Sequence, residues 1–206
     1  MIKYPKLPLT FYQQDNVLQI SKLLIGKYLF TNNDGIITGG MIVETEAYRG
    51  IDDRASHAYG MKMTKRNEVM YGAGGHAYIY LCYGIHLLFN VVTNQKGIPH
   101  GILIKAIEPQ IGIEKMMERR KKTKLNRSLT GGPGALTEAL GMSIRDNGTS
   151  LIGSMIWLED RNIKIDPEQI IATPRIGVDY AGEDAMLPWR FRIKNNPWTS
   201  PAKEKK

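Results

Sequence analysis

The stretch Ala77–Thr93, AYIYLCYGIHLLFNVVT, decides the fold. Before its turn the odd positions Ala77, Ile79 and Leu81 are apolar, and after it so are Leu87, Phe89 and Val91. The even positions carry Tyr78, Tyr80, Cys82, His86, Leu88 and Asn90. Period-two alternation on both sides of a short glycine-containing turn specifies an antiparallel hairpin. For the apolar residues to share one face, cross-strand partners must have equal parity, which selects an odd loop. The three residues Tyr83-Gly84-Ile85 pair Cys82 with His86 and Tyr80 with Leu88, whereas a two-residue loop would pair Cys82 with Ile85 and mix the faces. Tyr80 and Asn90 then share the polar face, and Tyr83 stands at the tip. A ring there departs from the Asn, Asp and Gly that turns favour. Either Tyr83 packs on a neighbouring loop or, with no core to join, it is shaped as a wedge between stacked bases.

Outward from the hairpin, the alternating run GGMIVETEAY (39–48) reads as a strand, as do Gly101–Ile107, Ser154–Leu158 and Trp189–Ile193. Val17, Ile20 and Leu24 give one apolar helical face that Asp15 caps and Gly26 ends. Further helices are expected after Pro109 and over Ala135–Leu140. Runs of strands with helices at intervals indicate an α+β fold rather than alternating βαβ units. No repeat, low-complexity tract or long Pro/Gly/Ser linker divides the 206 residues, so a single domain over 1–206 is expected, with a basic tail from about 200.

Several side chains on these elements are candidates for chemistry. Glu44, Glu46 and Tyr48 alternate onto one strand face. They are either a general base beside an aromatic platform or the solvated outer face of an antiparallel strand. In GILIKAIEP, Ile102, Ile104 and Ala106 line one face and Leu103, Lys105 and Ile107 the other. A lysine in so apolar a strand calls for an anionic partner, for which one of the glutamates is the natural candidate, unless the strand is an edge with Lys105 turned outward. The four histidines lack metal-ligand spacing, so no metal site is expected. Gly72-Ala73-Gly74-Gly75 precedes a strand instead of joining strand to helix, which argues against a dinucleotide loop.

Composition sets the partner class. With 42% hydrophobic residues the chain can bury a core, and one cysteine, Cys82, excludes an internal disulfide or a multi-cysteine zinc site and fits a reducing compartment. Lys and Arg total 28 against 20 Asp and Glu, a net charge of +8, which points to a polyanion such as nucleic acid or to an anionic surface. Basic residues crowd Lys115–Arg127 and recur at Lys203, Lys205 and Lys206, with Lys65 and Arg66 nearer the strands. No apolar run approaches the roughly 18 residues of a spanning helix, and the start lacks a secretory h-region, so a cytoplasmic location without membrane is expected.

The runs VETEAYRGIDDRASHAYGMKMTKRN, YIYLCYGIHLLFNVV, ILIKAIEP, GGPGAL, RIGVDYAGE and a closing PW together resemble the alkyladenine (3-methyladenine) DNA glycosylase family, in the family's order from about Gly40 to Trp198. The resemblance implies a mainly antiparallel curved sheet with flanking helices and a protruding, DNA-intercalating hairpin. It implies a monofunctional hydrolase of N-glycosyl bonds that works without a cofactor, as a monomer, on double-stranded DNA containing damaged purines, associated with the nucleoid if the source is bacterial. Glu46 would activate water for attack on the sugar C1′ of a flipped nucleotide, and the backbone carbonyl of Ile176 would help to hold that water. Tyr48, His57 and Tyr80 would stack the base, Asn90 would crowd the exocyclic amine of normal guanine at the pocket floor, Tyr83 would fill the gap in the duplex, and Arg66 would contact the DNA backbone.

The chain departs from a well-known family member in two places, with Lys105 where that member has arginine and Ala135 where it has lysine after GPG. A lysine offers three donors from one point instead of a planar fork, and near C1′ it raises the question of Schiff-base chemistry. The expectation is that Lys105 is a charged water-holder and not a nucleophile. Two other functional classes stand beside the glycosylase. One is a non-catalytic basic nucleic-acid-binding protein, which gives Glu46 and Asn90 no role; the other is a hydrolase of small nucleosides, for which the charge is incidental.

Overall fold

In the computed structural model, which describes residues 4–200, an antiparallel sheet organises the chain. Its strands among the described residues are β1 (Tyr28–Asn33), β2 (Ile36–Tyr48), β3 (Ala77–Cys82), β4 (His86–Thr93), β5 (His100–Ile111), β6 (Ile156–Glu159), β7 (Ile170–Thr173) and β8 (Arg190–Ile193). The main path runs β3-β4-β5-β2-β1-β6, and β8 joins β2 to β7. The long β2 is the spine: its first half pairs with β1, most of its length with β5, and residues 44–46 with β8. Successive neighbours along one edge of β2 curl the sheet. Among the described residues four short α-helices complete a single-domain α+β architecture: α1 (Leu9–Tyr12), α2 (Val17–Leu23), α3 (Ile113–Arg119) and α4 (Pro133–Ala139).

Helices and sheet meet through one main core. Val17 and Ile20 of α2, with the following Leu24, and Leu136 and Ala139 of α4 are buried in one cluster with Ile79, Phe89, Val91, Ile102 and Ile104. Each of the buried Val, Leu, Ile and Phe side chains contributes roughly 1.5–3 kcal/mol. The α2 cap is Asn16, whose side chain accepts from the Gln19 N–H, and not Asp15. Asx side chains cap alike, so one position of phase is all that separates expectation from structure. Helix α4 starts at Pro133, two residues before the expected Ala135, because proline's fixed φ suits the first helical position.

The hairpin has the equal-parity register: Ala77↔Val91, Tyr78↔Asn90, Tyr80↔Leu88 and Cys82↔His86. Tyr83 and Gly84 both have positive φ, as a type I′ turn requires, and the Ile85 N–H bonds the Cys82 carbonyl at 3.2 Å. Ile85 is the extra residue that makes the loop odd. The base of the hairpin is in the core, but its end leaves it, with Tyr83 87% and Ile85 73% exposed.

Strand β5 departs from the expected alternation. Ile102 and Ile104 face the core with Leu103 and Lys105 opposite, yet Ile107 is back in the core cluster with Ile102 and Ile104. The register explains it. Thr45 pairs with Ile104 and Glu44 with Ala106, which leaves Lys105 unpaired opposite β2. One extra residue in a ladder bends the strand and reverses its parity, and such bulges re-aim side chains beside active sites. No helix among the described residues is long and apolar enough to cross a membrane. The tail lysines Lys203, Lys205 and Lys206 lie outside the described residues.

Candidate active site

The polar sides of β2, β3, β4 and β5 line a cavity of about 380 Å³. Tyr48, His57, Arg66, Tyr80, Tyr83, Asn90, Lys105 and Ile176 all contribute to its lining. Thus side chains from five separate chain segments converge on one space. Glu46 lies behind this lining, 0% exposed, and reaches it through its partners.

Those partners are three. Glu46 Oε1 is 3.1 Å from Lys105 Nζ and accepts the Ile176 backbone N–H at 3.0 Å. Glu46 Oε2 accepts the Tyr48 hydroxyl at 2.9 Å. The carboxylate is therefore neither on a solvated face nor unpaired, and β5 lies between β4 and β2 rather than at an edge. Ile176 enters by its N–H, whereas the family resemblance assigns a role to its carbonyl. Burial, and then the Glu46 carboxylate, hold the Tyr48 phenol well above its ordinary pKa, so it donates as a neutral hydroxyl.

Glu44, two residues earlier, has a different role. It accepts Arg190 Nε at 2.6 Å, Ser200 Oγ at 2.7 Å and the Ser200 N–H at 2.5 Å, sealing the C-terminal segment onto β2 and β8. It shares burial with Glu46 but none of its partners.

Aromatic rings form the walls. Tyr78 and Tyr80 stack with centroids 5.2 Å apart, and His57 meets Tyr80 edge-on at 4.6 Å. His57 Nδ1 and the Tyr78 hydroxyl share a hydrogen bond of 2.8 Å. Burial, reinforced by the charge of Arg66, lowers the His57 pKa to about 4, so the imidazole is neutral at pH 7. Burial raises the Tyr78 phenol to about 12 despite the pull of Arg66. The loop carrying His57 and Arg66 is strutted by buried Asn67, whose amide donates to the carbonyls of His57 (2.8 Å) and Lys62 (2.9 Å). Asn90, on β4, donates to the Tyr78 carbonyl at 3.2 Å.

The cations divide into two groups. Arg66 is exposed and lies over the Tyr80 ring at 4.8 Å, held by the Leu81 carbonyl at 3.0 Å. In the basic run, Lys115 pairs with Glu118, Arg119 donates to the Ala139 carbonyl and Arg120 pairs with Glu138, so these charges are spent within the fold. Lys121, Lys124 and Arg127 remain exposed. Arg127 packs against Gly131, two residues before the cavity-lining Pro133.

Sequence reasoning missed four contributors. Tyr78 bonds His57 from the strand face assigned to the pocket, and Tyr180 lines the cavity with its hydroxyl held by the Ala55 carbonyl at 3.1 Å. Asp53 and Arg175 form an ion pair in which both side chains are fully buried. The signal available for that pair was only the mixture of charge and small residues in GIDDRASH and RIGV. Among the described residues no group of three or more His, Cys, Asp or Glu is placed to hold a metal ion.

A buried carboxylate, a lysine beside it and a ring-walled cavity suit hydrolysis at a flat, aromatic leaving group. The profile of the methylpurine-DNA glycosylase (MPG) family matches residues 10–197. The chain belongs to that family. Proteins of the methylpurine-DNA glycosylase family hydrolyse the N-glycosyl bond between base and sugar in DNA, and this chain is such an enzyme. It is 48% identical over 188 residues to a "putative 3-methyladenine DNA glycosylase" of Chlamydia felis, covering 91% of this chain and 95% of that one. Proteins with the same description from Bacillus cytotoxicus and Bacillus cereus strain G9842 are 43% identical over 203 residues and 45% over 202. These alignments cover 95% and 94% of this chain and 99% and 98% of the Bacillus proteins. The glycosylase assignment thus extends over nearly the whole chain, including every residue that lines the cavity.

Proposed function

We propose that this glycosylase flips an alkylated or deaminated purine, of the 3-methyladenine, 7-methylguanine, hypoxanthine and ethenoadenine class, out of double-stranded DNA into the cavity and hydrolyses it with one activated water. The observation that carries the reading is the Glu46 carboxylate, buried behind the cavity and held by Lys105, Tyr48 and the Ile176 N–H. Glu46 takes the proton from water as it attacks C1′, and its charge stabilises the oxocarbenium-like sugar. Lys105, paired with Glu46, orients water and carboxylate, and the carbonyl of Ile176 supplies a second hold on the water. The base leaves and an abasic site remains.

Binding follows from the walls. Tyr48, His57 and Tyr80 stack the flipped base without reading its sequence, and their ring faces attract a cationic alkylated purine. A neutral His57 suits this role, because an imidazolium would repel such a base. Asn90 crowds the exocyclic amine of undamaged guanine. Tyr83, exposed on a hairpin that leaves the core, occupies the gap in the duplex, while Arg66 turns from Tyr80 to a phosphate. A monomer suffices for excision at one site, and the chemistry needs no metal. Cytoplasmic, DNA-associated work accords with the charge of +8 and the single cysteine.

The test is excision from duplexes carrying hypoxanthine, ethenoadenine or a 3-methyladenine analogue, read as strand breaks after alkali. Breaks at the lesion are expected, and intact strands on every lesion would sink the reading.

A further inference from the structure

Arg175 and Asp53 lie outside the cavity lining but form a buried polar contact behind it, with Arg175 Nε the one guanidinium nitrogen that has no partner. Arg175 Nη1 and Nη2 bind the two Asp53 oxygens at 2.5 and 2.8 Å, a bidentate pair with both side chains fully buried. Nη1 also donates to the Ala47 carbonyl at 2.9 Å, and Nη2 to the Asp184 carbonyl at 3.1 Å. On its other side, Asp53 accepts the backbone N–H groups of Arg49 (3.2 Å) and Ala55 (3.0 Å). The guanidinium carbon lies 4.8 Å from the Tyr48 ring centroid and 5.0 Å from that of Trp189. Burial alone would lower the Arg175 pKa, but the bond and charge of Asp53 more than reverse it, so the guanidinium keeps its charge beside the carboxylate.

Two of the three donors to Glu46 are therefore governed by one guanidinium. Tyr48, which donates to Oε2, lies against it, and Ile176, which donates to Oε1, is the next residue in the chain. Lys105 arrives independently from β5. A buried ion pair adds little stability relative to apolar residues of the same volume, so stability does not account for it. What a planar fork with four filled donors does supply is orientation, which a flexible or apolar side chain lacks.

We infer that the Arg175–Asp53 pair is a positioning device for hydrolysis: it sets the Tyr48 ring and the Ile176 N–H so that the Glu46 carboxylate aims at the attacking water. The inference rests on the reading of Glu46 as the hydrolytic base. Arg175 touches neither base nor water in this arrangement; it acts through Tyr48 and Ile176. A small misalignment of reacting groups is sufficient to slow a reaction about 100-fold, while stacking of a base tolerates it. Loss of the pair must therefore depress the chemical step more than binding.

Two variants test this. Arg175→Lys keeps the charge and loses the fork. The double variant Arg175→Met, Asp53→Asn removes both charges, leaves no uncompensated ion and retains an acceptor for the loop N–H groups. Each is checked for cooperative urea unfolding. Single-turnover excision of hypoxanthine is then compared with the Kd for a duplex carrying a tetrahydrofuran abasic analogue. In the double variant the rate is expected to fall about 100-fold while Kd changes by no more than about threefold, and Arg175→Lys is expected to lose about tenfold in rate. An unchanged rate in the folded double variant, or rate and affinity lost by the same factor, would overturn the positioning role. Wild-type protein that excises no damaged purine would instead overturn the glycosylase mechanism on which it rests, so the two failures are distinct.

Discussion

Replacing Glu46 and Glu44 in turn by glutamine separates catalysis from stability. Both carboxylates are fully buried and each faces one cation, Lys105 for Glu46 and Arg190 for Glu44. Glutamine keeps the volume. At position 46 its carbonyl oxygen can still accept from Lys105 and the Ile176 N–H, while the Tyr48 hydroxyl turns to accept from the amide. What is lost in both variants is the negative charge, which leaves a buried cation unpaired at about 3–5 kcal/mol. Glu44→Gln should lose at least as much stability as Glu46→Gln, because its amide nitrogen also faces the Ser200 N–H, which can only donate, whereas its rate should fall far less. Removing a general base lowers the chemical rate roughly 10²–10⁴-fold, and this applies to Glu46→Gln alone. Glu46→Gln should retain lesion binding, because the stacking walls are untouched. Single-turnover excision of hypoxanthine from duplex DNA, with abasic sites cut by alkali, measures the rate; urea unfolding measures the stability. Equal loss of rate in both variants, or a Glu46→Gln protein that excises normally, would refute the assignment of the base.

Other expectations follow from the same geometry. Tyr83→Ala should leave unfolding within about 0.5 kcal/mol of wild type, since the ring is exposed, but weaken binding to a lesion duplex by about 1–3 kcal/mol; unchanged affinity would refute the wedge. Lys105→Arg should retain excision, and borohydride should trap no covalent protein–DNA adduct with wild type; an adduct that disappears in Lys105→Ala would make Lys105 a nucleophile. The folded pKa of His57, about 4, lies below its unfolded value near 6.5, so between them the unfolded chain binds the extra proton. His57 thus contributes a loss of stability as pH falls from about 6.5 to about 4, and His57→Gln should flatten that part of a stability-versus-pH curve.

The legible parts of this molecule are those where one periodicity acts alone. Alternation across 77–93 sufficed for the hairpin register, the odd loop and the sharing of one face by Tyr80 and Asn90, because slipping by one residue would expose the core. Strand β1 was illegible for the opposite reason. Leu29 joins the main core while Tyr28 and Phe30 pack with Trp157 on the other side, so both faces are buried and no alternation survives. Strand β7 has four residues and, among the described residues, pairs within the sheet only with β8, too little for a pattern. At the site, the need of Lys105 for an anion was readable from its apolar neighbours, but the bulge that parts it from the face of Ile107 depends on pairing between distant strands. The Arg175–Asp53 contact spans 122 residues of sequence and had no local signature.

The bulge also explains how one strand holds two buried carboxylates with unlike duties. In β2, Val43 is skipped between the pairs Ile42↔Ile107 and Glu44↔Ala106, and in β5 Lys105 is skipped one step later. Across the first of these irregularities β2 exchanges β1 for β8 as its second neighbour. Glu44 meets the new strand at Arg190 and is closed over by Ser200, so all the groups around it belong to the scaffold. Glu46, one step past the skipped Lys105, receives instead three groups that line the cavity: an ammonium, a phenol and a backbone N–H. A regular ladder would hold Lys105 and Ile107 on one face, so that either the lysine entered the apolar core or the isoleucine left it. Charge at position 46 is thus tolerable because the irregularities just before it part Glu46 and Lys105 from the core faces of Ile42 and Ile107 and leave both on the cavity side.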